Sequence, residues 1–341
     1  MHIPILVTNN SIPALKSLQG LFGVTVLLLC VFSGLHCAQY EIEGDYYVAT
    51  CPPVAMILQE VVGERSVVIG LMQAGASPHT YEIKPSDARR SEGALALFYV
   101  DEVYDGWAAQ LPARERIPTF PMVAESMKRH WEDTDACTLH DHDNENGHGH
   151  NHTHEDDHEH DHEHENAHHH DHGELDPHYW ADPLTVASLL PELVATLCRL
   201  DPEGCAEYEA NAAQFEALLE TLHTETAEAT APIAGQVIAL FHPSWKYYTD
   251  RYGLEVAALV EPYPGQESSP RYIRQVIEQL QEHGANVVFT EPQLPRRPAE
   301  VVAEAASVRL MEIDPVGGAP QTSTYADLIR YNTQVFLKAL Q

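Results

Sequence analysis

An α/β fold of two βα lobes, with mainly parallel sheets and one long rigid helix joining them, is what this sequence predicts. Three observations carry the prediction. Short β-rich apolar runs alternate with helical patterns in the first half of the chain and again in the last third. Between these two regions lies one helical pattern of roughly 28 residues, ~42 Å at 1.5 Å per residue. A single polar tract interrupts the first region without any apolar period of its own. Strands that alternate with helices form parallel βαβ units.

The elements follow in order. Tyr46 to Thr50 reads as a strand, ended by Pro52-Pro53, and Val54 to Val62 as a helix closed by Gly63. Val67 to Leu71 is a second strand. Ala94 to Val100 is a third, followed by a helix from Glu102 to Gln110. The stretch 133–174 is read as a disordered insertion, because almost nothing in it is able to enter a core. Asp182-Pro183 then starts a helix by the N-cap and first-turn proline rule, and this helix runs to Leu200. Asp201-Pro202 repeats that signal. Tyr208, Ala212, Phe215, Leu218, Leu219 and Leu222 follow at three- and four-residue spacings, so the second helix reaches Thr230. The last third gives strands at Gln236–Phe241, Glu255–Val260, Asn286–Thr290 and Arg309–Ile313. Its helices are expected at Ser244–Tyr252, Ser269–His283, Pro298–Ser307 and Thr322–Leu340. The expected division is a signal peptide over 1–38, an N-terminal lobe over 39–200, a connecting helix over 201–231 and a C-terminal lobe over 232–341.

Composition narrows the function. The 341 residues carry a formal net charge of -32, which excludes a nucleic-acid binder that needs a basic face. Half of that charge lies between Glu132 and Asp176, where 16 Asp/Glu and 14 His stand with no Lys or Arg. Of the 22 His, eight lie outside the tract: His2, His36, His79, His130, His178, His223, His242 and His283. Lys16 followed by an apolar run from Leu21 to Leu35 has the pattern of a secretory signal, too short for a membrane span. Cleavage is expected near Ala38. Lipidation of Cys37 is the alternative, although Gly34-Leu35-His36 departs from the usual lipid-attachment pattern. Export implies an oxidising compartment. Cys198 and Cys205 flank the helix break at Leu200-Asp201-Pro202 and are placed to form a disulfide, the alternative being two buried thiols.

Three of the outlying His sit where βα architecture places ligands, at or past strand ends or before a helix. His79 follows the second strand, His178 precedes the helix at Asp182-Pro183, and His242 directly follows Phe241. Asp314 ends the last strand. Neutral imidazoles and a carboxylate suit zinc, which takes four ligands at ~2.0–2.2 Å. Two ligands from each half would put the metal in the cleft between the lobes. Asp314 before Pro315 also serves as a turn former. His130, His223 and His283 read as surface, and Glu261 and Glu291 as capping or solvated groups that could line the cleft. There is no GxGxxG, P-loop, GxSxG or HExxH.

Four segments in order carry a resemblance: Gly75-Ala76-Ser77-Pro78-His79-Thr80-Tyr81-Glu82 with Lys84-Pro85-Ser86-Asp87, Asp176-Pro177-His178-Tyr179-Trp180-Ala181-Asp182-Pro183, Phe241-His242-Pro243-Ser244-Trp245 through Tyr252-Gly253-Leu254, and Ile313-Asp314-Pro315. Over nearly its whole length after the leader, the chain resembles the metal-binding subunits of bacterial ABC importers for zinc and manganese, closest to the zinc-specific group. The resemblance implies a periplasmic, monomeric Zn2+ carrier rather than an enzyme, which docks on an inner-membrane ABC permease. Its ligands fall on His79, His178 and His242. Manganese relatives usually have Glu at the third position, so His242 favours zinc, as three imidazoles do on ligand softness. Some zinc members place Glu immediately before the first His, where this chain has Pro78. That leaves Asp314 or a water as fourth ligand, and Asp314 is the choice. Because imidazole binds metal only when neutral, affinity is expected to fall as pH drops through ~6.5. The tract from His140 to His172 is a zinc collector, a sensor or a passive insertion. A manganese carrier, a zinc buffer or adhesin without a transport role, and a zinc hydrolase remain as other readings.

Overall fold

The computed structural model describes residues 45–131, 175–263, 265 and 268–341. The expected leader over 1–38, with Cys37, and the 133–174 insertion, with Cys137, lie outside the described residues.

The first sheet starts with β1 (Tyr46–Ala49), whose four residues are all buried. Helix α1 (Pro52–Val62) crosses back on an apolar face of Val54, Ile57, Leu58 and Val61. Strands β2 (Val67–Gly70), β3 (Leu97–Tyr99) and β4 (Arg116–Pro118) complete it. The second sheet holds β5 (Val237–Leu240), β6 (Glu255–Leu259), β7 (Val287–Thr290) and β8 (Arg309–Glu312). The orders are β2-β1-β3-β4 and β6-β5-β7-β8, with all pairings parallel. The two sheets therefore share one topology. In each, consecutive strands step outward from the first and then cross to its other side, the point at which α/β sheets open a crevice at their carboxyl ends.

Between the sheets run α3 (Pro183–Leu200) and α4 (Cys205–Thr230). Asp182 caps α3 by accepting from Leu184 N, and Pro183 occupies the first helical turn. Helix α4 is ~39 Å long at 1.5 Å per residue, and it packs against α1, α3 and α8 (Tyr325–Leu340). Its buried face of Tyr208, Ala212, Phe215, Leu219 and Leu222 is the stripe read from the spacing. Both sheets and these helices belong to one compact unit, Glu43–Gln341.

Three differences from the sequence expectation have physical reasons. The helix expected over 102–110 is only a 3₁₀ turn, Gly106–Gln110. Asp101 Oδ1 accepts from Val103 N and Tyr104 N, and Asp105 accepts from Val100 N and Asp101 N. Ala108 N then donates to Asp105 O and Leu111 N to Ala108 O, the i→i−3 bonds of a 3₁₀ turn in place of an α-helical ladder. A nine-residue helix, α2 (Pro85–Gly93), was not expected, since it buries only Asp87 and Ser91 and has no apolar stripe. Its start is nevertheless legible: Pro85 stands in the first turn and Asp87 accepts from Lys84 N at 2.8 Å. Strand β4 is three residues at a sheet edge, where Pro118 is tolerated. Helices α5 (Lys246–Tyr252), α6 (Pro270–Glu282) and α7 (Arg296–Ala306) fall close to expectation. Gly253 ends α5 at φ 73°, a left-handed position that glycine takes without strain.

Candidate metal centre

His79, His178 and His242 come together. One ring nitrogen from each lies within 4.8 Å of those of the other two. Ring centroids are 5.1 Å apart for His79 and His242, 5.3 Å for His178 and His242, and 5.8 Å for His79 and His178.

Each imidazole is held by its own local structure. His79 lies in a 3₁₀ turn, Pro78–Thr80, beyond β2. Trp107 Nε1 donates to the Pro78 carbonyl at 3.0 Å, which pins that turn. His178 is buried, and its Nδ1 is 2.7 Å from Oδ1 of the fully buried Asp176, which also accepts from His178 N. A carboxylate on Nδ1 fixes the tautomer and turns Nε2 toward the other rings. His242 is buried directly beyond β5, and its neighbour Phe241 is paired on both sides, with N donating to Phe289 O and O accepting from Glu261 N.

The surroundings are aromatic. Tyr104, buried, packs its ring 4.7 Å from His79 and 5.2 Å from His178, and burial holds its hydroxyl well above the usual tyrosine range. Trp131 lies 5.8 Å from His178 and 6.2 Å from His242. Sequence reasoning missed both aromatics, because a single Tyr or Trp in an irregular segment carries no periodic signal.

Asp314 is not drawn into this cluster. Its Oδ1 accepts from Gln293 Nε2 at 2.6 Å, Gly317 N at 2.8 Å and Val316 N at 3.1 Å, which makes it the organiser of the 314–317 turn. Glu291 instead lines the same small cavity as the three His, together with Ser77, Ser244 and Gln293. Burial pushes its carboxyl up to about 8, against the bond from Ser244 Oγ at 2.6 Å. Glu261 is also buried and accepts from Gly265 N at 2.8 Å. His130, His223 and His283 stand outside the cluster.

The lobes are tied together around the site. Tyr247 of α5 donates to Asp176 O at 2.8 Å and Trp180 Nε1 to Pro315 O at 2.8 Å. Arg251 binds the α3 cap Asp182, with Nε at 3.0 Å and Nη2 at 2.6 Å.

Comparison with known proteins agrees with this geometry. The family model for "Zinc-uptake complex component A periplasmic" (ZnuA) matches residues 48–339. The chain is 36% identical to the high-affinity zinc uptake system protein ZnuA of Paracoccus denitrificans, over 89% of this chain and 94% of that protein. It is 24% identical to the manganese-binding lipoprotein MntA of Halalkalibacterium halodurans, over 87% of this chain and 89% of that one. Among solved structures, a crystal structure of ZnuA aligns with TM-score 0.68 at 22% identity, covering 88% of this chain and all of the other.

Proposed function

The chain belongs to the ZnuA family of zinc-uptake binding components, and from that premise we propose that it captures Zn2+ outside the cytoplasm and hands it to the permease of an ABC importer. The observation that carries the reading is the convergence of three imidazoles from two lobes. His79 and His178 come from the N-terminal lobe and His242 from the C-terminal lobe. In a tetrahedral site with zinc–nitrogen bonds of ~2.05 Å, the nitrogens stand ~3.3 Å apart. Ring nitrogens that all lie within 4.8 Å of one another leave loading only a small adjustment to make. The Tyr247, Trp180 and Arg251 ties make this a loop adjustment rather than a swing of the lobes. Asp314, outside the cluster in this structure, is on this reading the fourth ligand on loading, through Oδ2 because Oδ1 is engaged by three donors.

Three neutral imidazoles also favour zinc over manganese, whose harder ion prefers carboxylate and water. The lobe limits that we infer, 39–200, 201–231 and 232–341, put one four-stranded sheet on each side of α4. Export through the leader, a monomeric state and a binding rather than catalytic role complete the reading.

The His-rich tract serves, on this reading, as a collector. Its described flanks reach the site: Trp131 contacts His178 and His242, Asp176 holds His178, and His130 and Leu175 form an antiparallel bridge. Ions held loosely by the tract are thus released beside the cluster. Deleting the gene and measuring growth and zinc uptake in scarce zinc tests the carrier reading. Uptake must fall and recover on complementation; a strain with unchanged uptake but reduced total bound zinc would make the protein a buffer.

A further inference from the structure

We infer that reduction of the Cys198–Cys205 disulfide turns the α3–α4 corner into a second metal site, formed by Cys198, Cys205 and Glu209, for a soft or borderline divalent cation such as Zn2+ or Cd2+. The two sulfurs are bonded in this structure. They and a Glu209 carboxylate oxygen lie within 4.8 Å of one another, and Cys205 Sγ is 3.8 Å from Glu209 Oε1. Cys198 stands in the last turn of α3, and Cys205 is the first residue of α4. Glu209, four residues further on, faces the same side one turn later. Two thiolates and one carboxylate are a donor set that zinc-class ions accept, with water completing four-coordination. The corner shares no residue with the His79, His178 and His242 cluster.

The donors stay together when the covalent bond is gone, because the turn between the helices is anchored by other contacts. Asp201 accepts from Arg65 Nη2 at 3.0 Å and from Tyr208 OH at 2.7 Å. Asp201 N donates to Leu197 O, and Gly204 N to Asp201 O. Arg65 comes from the segment between α1 and β2, so the anchor is tertiary. A dithiol held by such a frame has little ordering left to do on binding metal. The position at the start of α4 favours the thiolate of Cys205. Both cysteines are half-buried and Glu209 is exposed, so a reductant and an ion can reach them.

The chemistry balances with a dithiol as reductant. Its two S–H bonds break and its sulfurs join. The protein S–S bond takes the two electrons, and the two hydrogens end on Cys198 and Cys205. Metal binding then releases two protons and leaves two thiolates and a carboxylate on the ion. Metal and oxidation compete for the same sulfurs, so a loaded corner resists disulfide formation.

Cadmium titration of the full chain, before and after reduction, tests this through the near-ultraviolet sulfur-to-cadmium charge-transfer band. Imidazole and carboxylate ligands, the His-rich tract included, do not produce that band. The expected result is an added band in the reduced chain, absent from the oxidised chain and from reduced Cys198→Ser/Cys205→Ser, which keeps Cys30, Cys37, Cys51 and Cys137. Glu209→Gln, with both thiols intact, should weaken cadmium binding at this band about tenfold. Equal bands in reduced wild type and the double variant would overturn the site. So would a thiol count showing that mild dithiol never opens the disulfide, or a Glu209→Gln titration identical to wild type.

Discussion

The two lobes have the same strand order but use it differently. In the C-terminal lobe, β5 to β8 are linked by α5, α6 and α7, and the only imidazole offered to the cluster, His242, stands directly at a strand end. In the N-terminal lobe, the chain after β3 replaces helices with a series of 3₁₀ turns. These irregular segments hold His178, Tyr104 and Trp131, while the loop beyond β2 holds His79. The regular lobe thus brings one imidazole to the cluster, and the irregular lobe brings two together with the aromatic wall. Irregular backbone is able to aim several side chains at one point, at the cost of needing individual anchors such as Trp107 on Pro78 and Asp176 on His178. On the proposed reading, adjustment on loading is expected in the loops of the N-terminal lobe rather than at His242.

That contrast breaks most sharply at the one imidazole that the C-terminal lobe brings to the cluster. His242→Ala should cost more zinc affinity than any supporting change, well beyond about 100-fold, because it leaves both N-lobe imidazoles with only Asp314 opposite them. Titration calorimetry with zinc on a chain lacking 140–172, beside the same chain with His242→Ala, measures it. A loss under tenfold would mean that the C-terminal lobe is not a partner in the site.

Asp176→Asn comes next in size. The amide still hydrogen-bonds Nδ1, but it no longer imposes the charge that makes Nε2 a strong donor. A loss of about 10–100-fold in zinc affinity is expected, with the fold intact by circular dichroism. An unchanged affinity would show that the irregular lobe positions His178 by backbone alone. Asp314→Ala is expected to cost less than either, since its engaged Oδ1 leaves a single oxygen for the metal.

The corner between α3 and α4 offers the opposite kind of effect, on stability and not on the cleft. Closing a short loop, the disulfide should contribute roughly 2–3 kcal/mol. Cys198→Ser/Cys205→Ser is therefore expected to lower urea stability by about that amount while cleft zinc affinity stays within twofold. A matching loss of affinity would tie the long helices to the site more closely than the lobe contrast allows.

The lobes also differ in how far the sequence exposed them. Periodicity placed β5 to β8 and α5 to α8 within a few residues, because the longer helices bury apolar stripes, as α6 does with Tyr272, Val276 and Leu280. It placed α4 for the same reason. It failed over 101–131, where short 3₁₀ turns follow one another and no stripe exists. The three His were legible from strand ends and local motifs, whereas Tyr104, Trp131 and the burial of Glu291 were not, since each depends on contacts between segments far apart in the chain. Asp314 shows the limit in the other direction: its strand-end position is as expected, yet the turn claims one of its oxygens, a competition that only tertiary structure reveals.

The smallest expected effect concerns acid, and it separates the helical frame from both lobes. The Arg65 guanidinium and the Tyr208 hydroxyl hold the Asp201 carboxyl down at about 2. A carboxylate whose folded value lies below its unfolded value of ~3.9 stabilises the fold above that pH and loses the contribution as pH falls toward 2. The unfolded chain takes up the proton first, so stability drops across the window from about pH 4 to pH 2. Asp201→Asn removes the titration and keeps the turn's amide geometry. Its unfolding free energy should be lower than wild type at neutral pH, and the difference should shrink as pH falls from 4 to 2. Cleft residues play no part in this window's contrast, because both proteins carry them unchanged. A difference that stays constant with pH would mean that the Arg65 pair is screened by solvent and that the corner is held by Tyr208 and the backbone alone. In that case the frame that keeps Cys198 and Cys205 together after reduction would rest on fewer contacts than the geometry displays.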